Sequence, residues 1–448
     1  MNIKNNQNLP KIHILMVVEN ISKKMGGETG QNFYYLQFLR RRNIDIRAIC
    51  HSRVREELRQ EFANDLEQFQ KIHFIDDTWY QAMIWQIGKV FPYRIQDLIF
   101  NQIIHWITQY KARILAKKLI ATHKIDLIFE PTPITPKGLS FMYDMGVPVV
   151  IGPLTGGLKF PPAFEYMDSK FSHFSVNISR KLSEILHRFV PGKLQANALI
   201  VANQQTQEAL PEGYQGKIYE IIESGVDLSL WEPRQSHPST PHQPVRFIYT
   251  GRFVDWKGVQ FLVEAFQYVT QQSNAVLELV GQGLLEEQLQ NRVQELGLQN
   301  CVHFHGWQAA DKVNQLLREC DVFVIPSLRE AGGNAILEAM AIGLPCIGTN
   351  WAGPARILNP SCAILVDPTS PEEFIKGLTQ GMSRLAESPQ LREQMGEAAK
   401  QRIRQHYFDW DSKCDRIVEI FSETLHQSEI DSVVQFPVHS VKCSVHNS

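Results

Sequence analysis

The segment REAGGNAILEAMA, residues 329–341, places two acidic residues around a pair of glycines. Glu330 comes just before the glycines, and Glu338 follows eight positions later. Along one continuous helix this separation would turn the two side chains about 80° apart, so they would not share a face. We therefore expect Glu330 to lie in a loop and Glu338 in a helix that begins near Gly333 or Asn334.

A helix that begins at this point would suit an anionic ligand. Gly332, Gly333 and Asn334 would present backbone amides that lack partners within the helix, at the positive end of its dipole. Carboxylates beside a phosphate repel it unless they accept hydrogen bonds from hydroxyl groups. The segment therefore predicts a nucleotide-sugar site, with Glu330 and Glu338 on sugar and ribose hydroxyls. The alternative is that Glu330 is a surface acid and Glu338 faces solvent.

A second candidate loop carries two basic residues. The sequence TGRFVDWKG follows an apolar run and contains Arg252 and Lys257, ahead of a helix that Gly258 opens. Arg can chelate two phosphate oxygens and Lys acts as a point charge, so both residues, with the neighbouring Gly251, suit a diphosphate. The alternative is that both cations are solvated loop residues.

A glycine pair follows the first apolar run of the chain. Gly26 and Gly27 precede a helix expected to begin near Glu28 or Thr29, so their amides could approach an anionic donor closely. The spacing is GGxxG rather than GxGxxG, so the dinucleotide-binding fingerprint is absent. The alternative is an ordinary turn between a strand and a helix.

Apolar runs predict the elements that must position these loops. Short runs rich in Val and Ile alternate with helical stretches, seven runs in the first half of the chain and six in the second. Continuously apolar runs indicate strands that helices cover on both faces, as in parallel α/β layers. Such sheets bind ligands beyond the carboxyl ends of their strands, so the loops that directly follow strands are the candidates.

A proline-rich segment divides the chain into two halves. Residues 231–245 read WEPRQSHPSTPHQPV and contain four prolines, which is typical of a linker between domains. A late amphipathic helix is expected to return to the first domain. The predicted segments are an N-terminal α/β domain at 1–232, a linker at 233–245, a C-terminal α/β domain at 246–407, the returning helix at 408–428 and a flexible tail at 429–448.

Composition excludes several classes of protein. The 448 residues are 44% hydrophobic with a net charge of −2, so the chain can build two globular cores and shows no basic excess for nucleic acid. Seven scattered cysteines without a CxxC pair predict reduced thiols and a cytoplasmic location. No stretch approaches the roughly 20 apolar residues of a membrane span.

One basic segment raises the question of membrane contact. Residues 100–124 contain five Lys or Arg and no acid. A helix of this composition could dock on anionic lipid at the inner face of a membrane and meet a membrane-bound acceptor there. The alternative is a solvated helix with an apolar face toward the core.

The second half of the chain resembles the C-terminal domain of the retaining GT-B-fold glycosyltransferases of the family 4 type. The resemblance rests on the loop at 251–258, on VGQGLL, VHFHG and AGPARIL, and on DVFVIPSLREAGGNAILEAMAIGLPCI. Glu330 and Glu338 meet the family's Glu-x7-Glu pattern. The first half resembles the family only in layout. The implied fold is two Rossmann-like parallel-sheet domains that face each other across a cleft.

The resemblance also implies a reaction. Arg252 and Lys257 would hold the donor diphosphate, Glu330 would bond a donor sugar hydroxyl, and Glu338 would bond the ribose. The residues between the two acids would offer amides to phosphate and sugar. A hexose would pass from a nucleotide diphosphate sugar to a glycan or lipid-linked acceptor with retained configuration, and without a metal or other cofactor. The rivals are a catalytically weak donor-binding subunit of a complex, and a sugar phosphorylase that uses pyridoxal phosphate.

The chain departs from the family pattern in three places. The family usually reads Glu-Gly-x-Gly where Ala331 stands second here, and it often carries a second acid where Ala355 stands. Its usual His after the fourth strand of the first domain is missing, and this stretch offers Glu130 instead. These departures fall mainly on the acceptor side, so Glu130 is a candidate acceptor residue.

A loop rich in Gly and Pro is the other acceptor candidate. Residues 150–164, VIGPLTGGLKFPPAF, follow a predicted strand and are expected to face the cleft. Thr155, Gly156 and Gly157 could then line the acceptor pocket. The alternative is a rigid turn that contacts no ligand.

Two metal-like patterns have simpler explanations. Cys301, His303 and His305 share one strand face, but residues of a buried strand usually belong to the core. Asp409 and Asp411 resemble the metal motif of the other glycosyltransferase fold. They precede an apolar helix, where an N-cap is the simpler role.

Overall fold

The computed structural model describes residues 11–25, 27–92, 95–131, 135–168, 183–234 and 243–434. Gly26, predicted to belong to the donor site, lies outside these residues, as does most of the predicted linker. Within the described residues, every predicted apolar run forms a strand. The strands are β1 (Ile12–Val17), β2 (Ile44–His51), β3 (Ile72–Ile75), β4 (Leu127–Glu130), β5 (Val149–Leu154), β6 (Ala198–Val201), β7 (Lys217–Glu220), β8 (Val245–Thr250), β9 (Ala275–Val280), β10 (Val302–Gly306), β11 (Val322–Ile325), β12 (Cys346–Thr349) and β13 (Ala363–Val366).

The strands form two parallel sheets, one in each half of the chain. The first has the order β3-β2-β1-β4-β5-β6-β7 and the second β10-β9-β8-β11-β12-β13. The strand order reverses between β1 and β4 in the first sheet and between β8 and β11 in the second. Crevices open beyond the carboxyl ends of strands at such reversals. The loops after these four strands are therefore best placed to bind ligands.

Helices cover both faces of each sheet. They are α1 (Gly27–Leu39), α2 (Arg55–Glu61), α3 (Leu66–Gln70), α4 (Trp79–Gly88), α5 (Gln102–Thr122), α6 (Gly192–Gln195), α7 (Gln204–Glu208), α8 (Val259–Thr270), α9 (Glu286–Glu295), α10 (Ala310–Glu319), α11 (Asn334–Ile342), α12 (Ala352–Ile357), α13 (Pro371–Glu387), α14 (Pro389–Gln405) and α15 (Trp410–Val434). Residues 183–189 are also helical. Short 3-10 turns span Ser52–Val54, Pro162–Met167 and Asp255–Lys257, and a π-helical turn spans Gln96–Asn101.

The central strand of the first sheet shows why the apolar runs are continuous. Ile14 and Met16 pack into one hydrophobic cluster, whereas Leu15 and Val17 pack into another on the opposite face. Because consecutive side chains of a strand point to opposite faces, burial of both faces requires every position to be apolar. No helix in the described part of the chain is both long and apolar enough to cross a bilayer.

Helix α15 returns from the second domain to the first. Trp410 stacks on Tyr34 of α1 with ring centroids 5.1 Å apart, and it meets Tyr35 edge-on at 5.1 Å. Asp409 caps the helix, because its Oδ1 accepts a hydrogen bond from the amide of Ser412 at 2.9 Å. The predicted N-cap is thus confirmed. The helix continues past residue 428 to Val434, so residues 429–434 are helical rather than part of a tail.

The first domain also sends an aromatic residue into the second. Phe164, in the turn Pro162–Met167, packs between Phe261 of α8 and Phe374 of α13, with ring centroids 5.4 and 5.9 Å away. Trp231, at the start of the proline-rich segment, is buried in the cluster of the second domain. The amide of Arg234 donates to the carbonyl of Ile342 at 3.0 Å. The start of the predicted linker is therefore packed against the second domain.

The packing of α15 leads to a test of stability. Trp410→Ala removes a fully buried indole that contacts two tyrosines of α1. We expect the free energy of unfolding to fall by ~3–5 kcal/mol, as for other large-to-small core substitutions. Trp307→Ala, at an exposed tryptophan, is the matched control. Equal losses for both variants in chemical denaturation would contradict the docking of α15.

Candidate active site

Three loops of the second domain are fastened to one another beyond the carboxyl ends of its strands. The amides of Leu328 and Arg329, after β11, donate to the carbonyl of Trp256, after β8, at 2.9 and 3.3 Å. The amide of Gly353, after β12, donates to the carbonyl of Glu330 at 2.8 Å. The residues predicted in separate loops therefore lie at one place.

An ion pair joins two of the predicted site residues. The ammonium group of Lys257 donates to Glu330 Oε2. Their side chains are only 16% and 15% exposed, so solvent screens the pair less than it screens a surface pair. Lys has three donor hydrogens, so Lys257 can hold Glu330 and still offer hydrogens to a phosphate. The pair fixes a cation and a carboxylate next to each other.

Arg252 lies in the same loop and remains exposed. Its guanidinium carbon is 5.9 Å from the ring centroid of Trp256. The hydroxyl of the buried Tyr249 donates to the carbonyl of Arg252 at 3.0 Å. Burial and the negative charge of Glu330 raise the pKa of Tyr249, and Arg252 opposes this effect. The charges of Arg252 and Glu330 therefore both affect the Tyr249 hydroxyl, so the two residues lie near each other.

The backbone geometry of the segment 329–341 requires its two glycines. Helix α11 begins at Asn334, as predicted, and Gly333 precedes it with φ of 104°, a left-handed conformation that favours glycine. Gly333 has no side chain to cap the first amides of α11. A Cβ atom on Gly332 would lie 2.0 Å from Ser224 Oγ, so this loop needs glycine for close packing. Gly251 is similarly constrained, because its Cβ would lie 2.8 Å from Tyr249 Oη.

Four buried polar atoms mark the same edge of the second sheet. Thr250 ends β8, Ser327 and Thr349 follow or end the neighbouring strands β11 and β12, and Asn334 opens α11. The hydroxyl oxygens of the first three and Oδ1 of Asn334 have no hydrogen-bond partner among the described residues. Buried polar groups are costly unless they are paired. This cluster is a binding signal that the sequence did not show.

Glu338 lies on α11, four residues after the helix begins at Asn334. Its side chain keeps a partly accessible edge, but protein surrounds it, and burial raises its pKa from 4.5 to about 7. The pKa of Tyr34 in the first domain is also raised, by burial and then by the negative charges of Asp227 and Glu338. Glu338 of the second domain and Tyr34 of the first therefore lie near enough for the charge of one to affect the other.

Gly27 is the first residue of α1, one position before the predicted start of that helix. Tyr34 of the same helix lies close enough to Glu338 for their charges to interact. Helix α1 therefore borders the cleft from the side of the first domain. The predicted contact of Gly27 with the donor remains a prediction.

The loop after β5 reaches across the cleft to the second domain. The indole Nε1 of Trp351 donates to the carbonyl of Lys159 at 2.9 Å. The guanidinium carbon of Arg329 lies 5.5 Å from the ring centroid of Phe160. The predicted acceptor loop therefore touches the loop that carries Glu330 and the loop after β12.

The glycines of this loop serve packing. The hydroxyl of Thr206 donates to the carbonyl of Gly156 at 2.9 Å, and the Gly156 amide lies 3.3 Å from the same hydroxyl oxygen. A Cβ atom on Gly157 would lie 2.7 Å from the Cβ of Ala209. These contacts explain both glycines through a tight turn. The hydroxyl of Thr155 is buried without a partner among the described residues, so Thr155 stays the acceptor candidate here.

Glu130 was predicted as an acceptor residue, and its contact with an acceptor remains a prediction. The side chain is fully buried and accepts a hydrogen bond from the hydroxyl of Ser140. Burial raises its pKa to about 8. Nearby, the buried ammonium group of Lys193 donates to the carbonyls of Thr135 and Pro136. Glu130 therefore belongs to the buried support of the loop after β4.

The histidines of the metal-like pattern on β10 interact with an acidic residue of the neighbouring strand. His303 Nδ1 and His305 Nε2 lie 3.2 and 2.7 Å from Glu278 Oε2, on the edge strand β10 and its neighbour β9. Arg246 completes this cluster through an ion pair with Glu278 at 2.9 Å. In the described ranges no three His, Cys, Asp or Glu residues are grouped so that they could hold a metal ion.

Comparisons with known proteins agree with this geometry. Residues 232–402 match the family model described as glycosyl transferases group 1. The chain carries a glycosyl transferases group 1 domain. This domain contains the second sheet, the Lys257–Glu330 pair and helix α11. Its first residues coincide with the proline-rich segment, which is consistent with the packing of that segment on the second domain.

Relatives and solved structures extend the comparison. The chain is 34% identical over 169 residues to the lipopolysaccharide core biosynthesis glycosyltransferase LpsD of Rhizobium meliloti. The match covers 38% of this chain and 47% of LpsD. Two further relatives are also matched over only part of their lengths, 44% and 37%. The Anabaena protein HepE, solved with UDP and glucose, superposes with a TM-score of 0.56 over 92% of this chain and 100% of HepE at 17% identity. The chain therefore has the GT-B fold, and its glycosyl transferases group 1 domain forms one face of the cleft.

The buried carboxyl of Glu338 leads to a test in which stability depends on pH. Because the folded-state pKa is near 7 and the ordinary value is 4.5, the folded protein binds this proton more tightly. Wild-type stability should therefore fall as pH rises through this window, whereas Glu338→Gln should not show the loss. Above pH 7 we expect the variant to be more stable by ~1–3 kcal/mol.

Chemical denaturation at pH 4.5 to 8.5 measures this difference. Glu287→Gln, at an exposed acid of α9, is the control and should follow the wild-type profile. Parallel profiles for wild type and Glu338→Gln would show that Glu338 is not desolvated in the folded protein.

Proposed function

We propose that this protein is a glycosyltransferase that moves a hexose from a nucleotide diphosphate sugar to a glycan or lipid-linked acceptor, in the assembly of a polysaccharide or glycolipid. The observation that carries the proposal is the Lys257–Glu330 pair beside the N-terminus of α11. This arrangement supplies positive charge for a diphosphate and a carboxylate for sugar hydroxyls at one place. The LpsD relative, whose name assigns it to lipopolysaccharide core biosynthesis, supports the same class of product.

The charged residues predicted for the donor site each receive a role in this proposal. Arg252 and Lys257 bind the diphosphate, and the first amides of α11 bind it from the other side. Glu330 accepts a hydrogen bond from a hydroxyl of the donor sugar. Glu338 accepts hydrogen bonds from the ribose, whose hydroxyls would compensate for its desolvation. Asn334 and the three unpaired hydroxyls at the strand ends give polar contacts to the same donor.

The proposed chemistry depends on charge. As the bond between the anomeric carbon and the diphosphate oxygen breaks, negative charge accumulates on the leaving group. Cations and helix amides that are already in place stabilise this charge more in the transition state than in the ground state. The acceptor hydroxyl attacks the same face of the sugar, and its proton passes to the departing phosphate oxygen. This internal return retains the configuration of the anomeric carbon.

Arg252, Lys257 and the helix N-terminus offer positive charge of the kind that divalent metals supply in other transferases. We therefore propose that transfer needs no metal and no other cofactor. Adding EDTA should then leave the rate of transfer unchanged. Loss of activity in EDTA that a divalent metal restores would contradict this part of the proposal.

We further propose a cytoplasmic protein with peripheral membrane contact through residues 100–124. Not all basic residues of this segment are free for lipid. Arg113 is buried and donates to the carbonyls of Phe141 and Tyr143, and Lys111 donates to the carbonyl of Asp76. Lys117, Lys118 and Lys124 are exposed. The contact would therefore depend on the exposed lysines and on neighbouring apolar residues.

The donor can be identified by stability and the site by substitution. Sugars linked to UDP, GDP and ADP are screened by thermal shift, because a true donor at 100 times its Kd adds about 2.7 kcal/mol of stability. Glu330→Gln and Lys257→Met should each lower kcat/KM for donor hydrolysis and transfer by roughly 10²–10³-fold, as expected for lost transition-state contacts.

The exposed ion pair between Lys376 and Glu373, 3.3 Å apart on α13, provides matched controls. Lys376→Met and Glu373→Gln should leave turnover unchanged. Turnover that survives Glu330→Gln and Lys257→Met would remove this site from the mechanism.

The same experiments separate the rivals. A non-catalytic donor-binding subunit would be stabilised by a nucleotide sugar without turning it over. A phosphorylase would show the absorbance band of bound pyridoxal phosphate and would need inorganic phosphate. Donor-dependent stabilisation together with turnover that Glu330→Gln strongly lowers is expected only for the glycosyltransferase.

A further inference from the structure

Tyr249 is a fully buried side chain with a polar end, close to the loop that carries Arg252. It lies near the end of β8, one of the two strands between which the order of the second sheet reverses. Phe247, two residues earlier on the same face of the strand, packs in the same hydrophobic cluster. A second phenylalanine would fill the core without burying a hydroxyl, which is costly unless it is paired. The hydroxyl of Tyr249 must therefore be explained by its partner.

The partner of this hydroxyl is the backbone of Arg252. Tyr249 Oη donates to the carbonyl of Arg252 at 3.0 Å, three residues further along the chain. The same carbonyl accepts a hydrogen bond from the amide of Val254 at 3.1 Å. A carbonyl oxygen has two lone pairs, so these two donors satisfy it. One side chain of the core and one amide of the loop thus fix the peptide group that follows the Cα atom of Arg252.

The neighbours of Arg252 in the chain are fixed as well. A Cβ atom on Gly251 would lie 2.8 Å from Tyr249 Oη, and the three atoms nearest to it would all belong to Tyr249. Gly251 therefore lets the phenol approach the loop closely. On the other side, the amide of Phe253 donates to the carbonyl of Gln282 at 2.9 Å. The backbone on both sides of Arg252 is thus held by close contacts.

The side chain of Arg252 is held much less firmly than its backbone. It is exposed, and its guanidinium carbon lies 5.9 Å from the ring centroid of Trp256. Among the described residues, Lys257 is paired with Glu330, whereas no acid forms an ion pair with Arg252. A long, flexible side chain loses conformational entropy when it binds, and it reaches a ligand in the right geometry only from a fixed backbone. The position of the Arg252 backbone therefore decides where its charge can act.

Tyr249 itself is not placed to take part in the chemistry. Its side chain is buried, and the single hydrogen of its hydroxyl is donated to the carbonyl of Arg252. Burial, and then the negative charge of Glu330, raise the pKa of Tyr249 above its ordinary value. The hydroxyl therefore stays protonated and remains a donor at neutral and mildly alkaline pH. An effect of Tyr249 on a ligand must pass through Arg252.

We propose that Tyr249 is a positioning residue of the donor site, whose hydroxyl holds the loop after β8 so that the guanidinium of Arg252 meets the diphosphate. This inference rests on the proposed function, because Arg252 binds the diphosphate in that proposal. In the sequence Tyr249 looks like any core residue of an apolar run, so only its contact with Arg252 reveals this role.

Binding of nucleoside diphosphates tests this role without a sugar or an acceptor. The full chain is titrated with UDP, GDP and ADP by calorimetry, and the tightest ligand is then measured in Tyr249→Phe, in Arg252→Ala and in the double variant. We expect Tyr249→Phe to weaken binding about five- to tenfold while Arg252 is present, as for one lost hydrogen bond. In the Arg252→Ala background the same change should alter Kd by less than about twofold, because the residue that Tyr249 positions is absent.

Two further variants control for loss of structure. Tyr268→Phe, at a tyrosine of α8 that is 48% exposed, should bind as wild type does. Gly251→Ala reaches the same contact from the loop, because its Cβ would lie 2.8 Å from Tyr249 Oη and push the phenol away from Arg252. We expect it to weaken binding about tenfold or more, as for other overpacked sites. The loss should be smaller in the Tyr249→Phe background, where the clashing oxygen is absent.

The outcomes separate this inference from the proposed function. If none of the three nucleotides binds, or if Arg252→Ala binds as wild type does, the proposed donor site is wrong and the role of Tyr249 falls with it. If Arg252→Ala weakens binding but Tyr249→Phe does not, only the role of Tyr249 is wrong. Equal losses for Tyr249→Phe with and without Arg252 would show a general loosening of the domain and would also overturn the inference.

Discussion

The ion pair between Lys257 and Glu330 is the interaction on which the arrangement of the second domain depends. It links the loop after β8 to the loop after β11, and the carbonyl of Glu330 in turn anchors Gly353 after β12. A half-buried pair loses hydration, and it is favourable only when its geometry and hydrogen bonds compensate for that loss. Here the ion pair and the hydrogen bond to the Glu330 carbonyl together fix the loops after β8, β11 and β12. The cation and the carboxylate are therefore in position before any ligand arrives.

The same region retains groups that destabilise the folded protein. Glu338 is desolvated without a basic partner that lowers its pKa, and four buried polar atoms at the strand ends lack partners among the described residues. A core built for stability alone would pair or replace such groups. Their concentration beside the Lys257–Glu330 pair indicates that a polar ligand supplies the missing hydrogen bonds. Groups that favour ligand binding therefore lower the stability of the folded protein at this edge of the sheet. The packed cores of both domains offset that loss of stability.

Much of the fold could be predicted because it depends on local pattern. Continuously apolar runs fix strands with two buried faces, and a glycine at positive φ fixes the start of α11 at Asn334. The burial of a side chain and its contacts with residues far away in the chain leave no pattern in the neighbouring sequence. Glu130 follows an apolar run like other site residues, yet it is fully buried, and nothing nearby in the sequence indicates this. The unpaired hydroxyls and the exposed apolar residues of α4 and α5 likewise depend on which residues other elements cover.

The two domains are coupled through the residues that border the site. Gly332 lies against Ser224 of the segment between the sheets, and Trp351 bonds the carbonyl of Lys159 in the loop after β5. Arg356 of α12 forms an ion pair with Glu220 at the end of β7. Each contact joins a loop of the donor side to a loop of the first domain. A change in the separation of the domains must therefore move the loops around Glu330, so binding on either side of the cleft is linked to its geometry on the other.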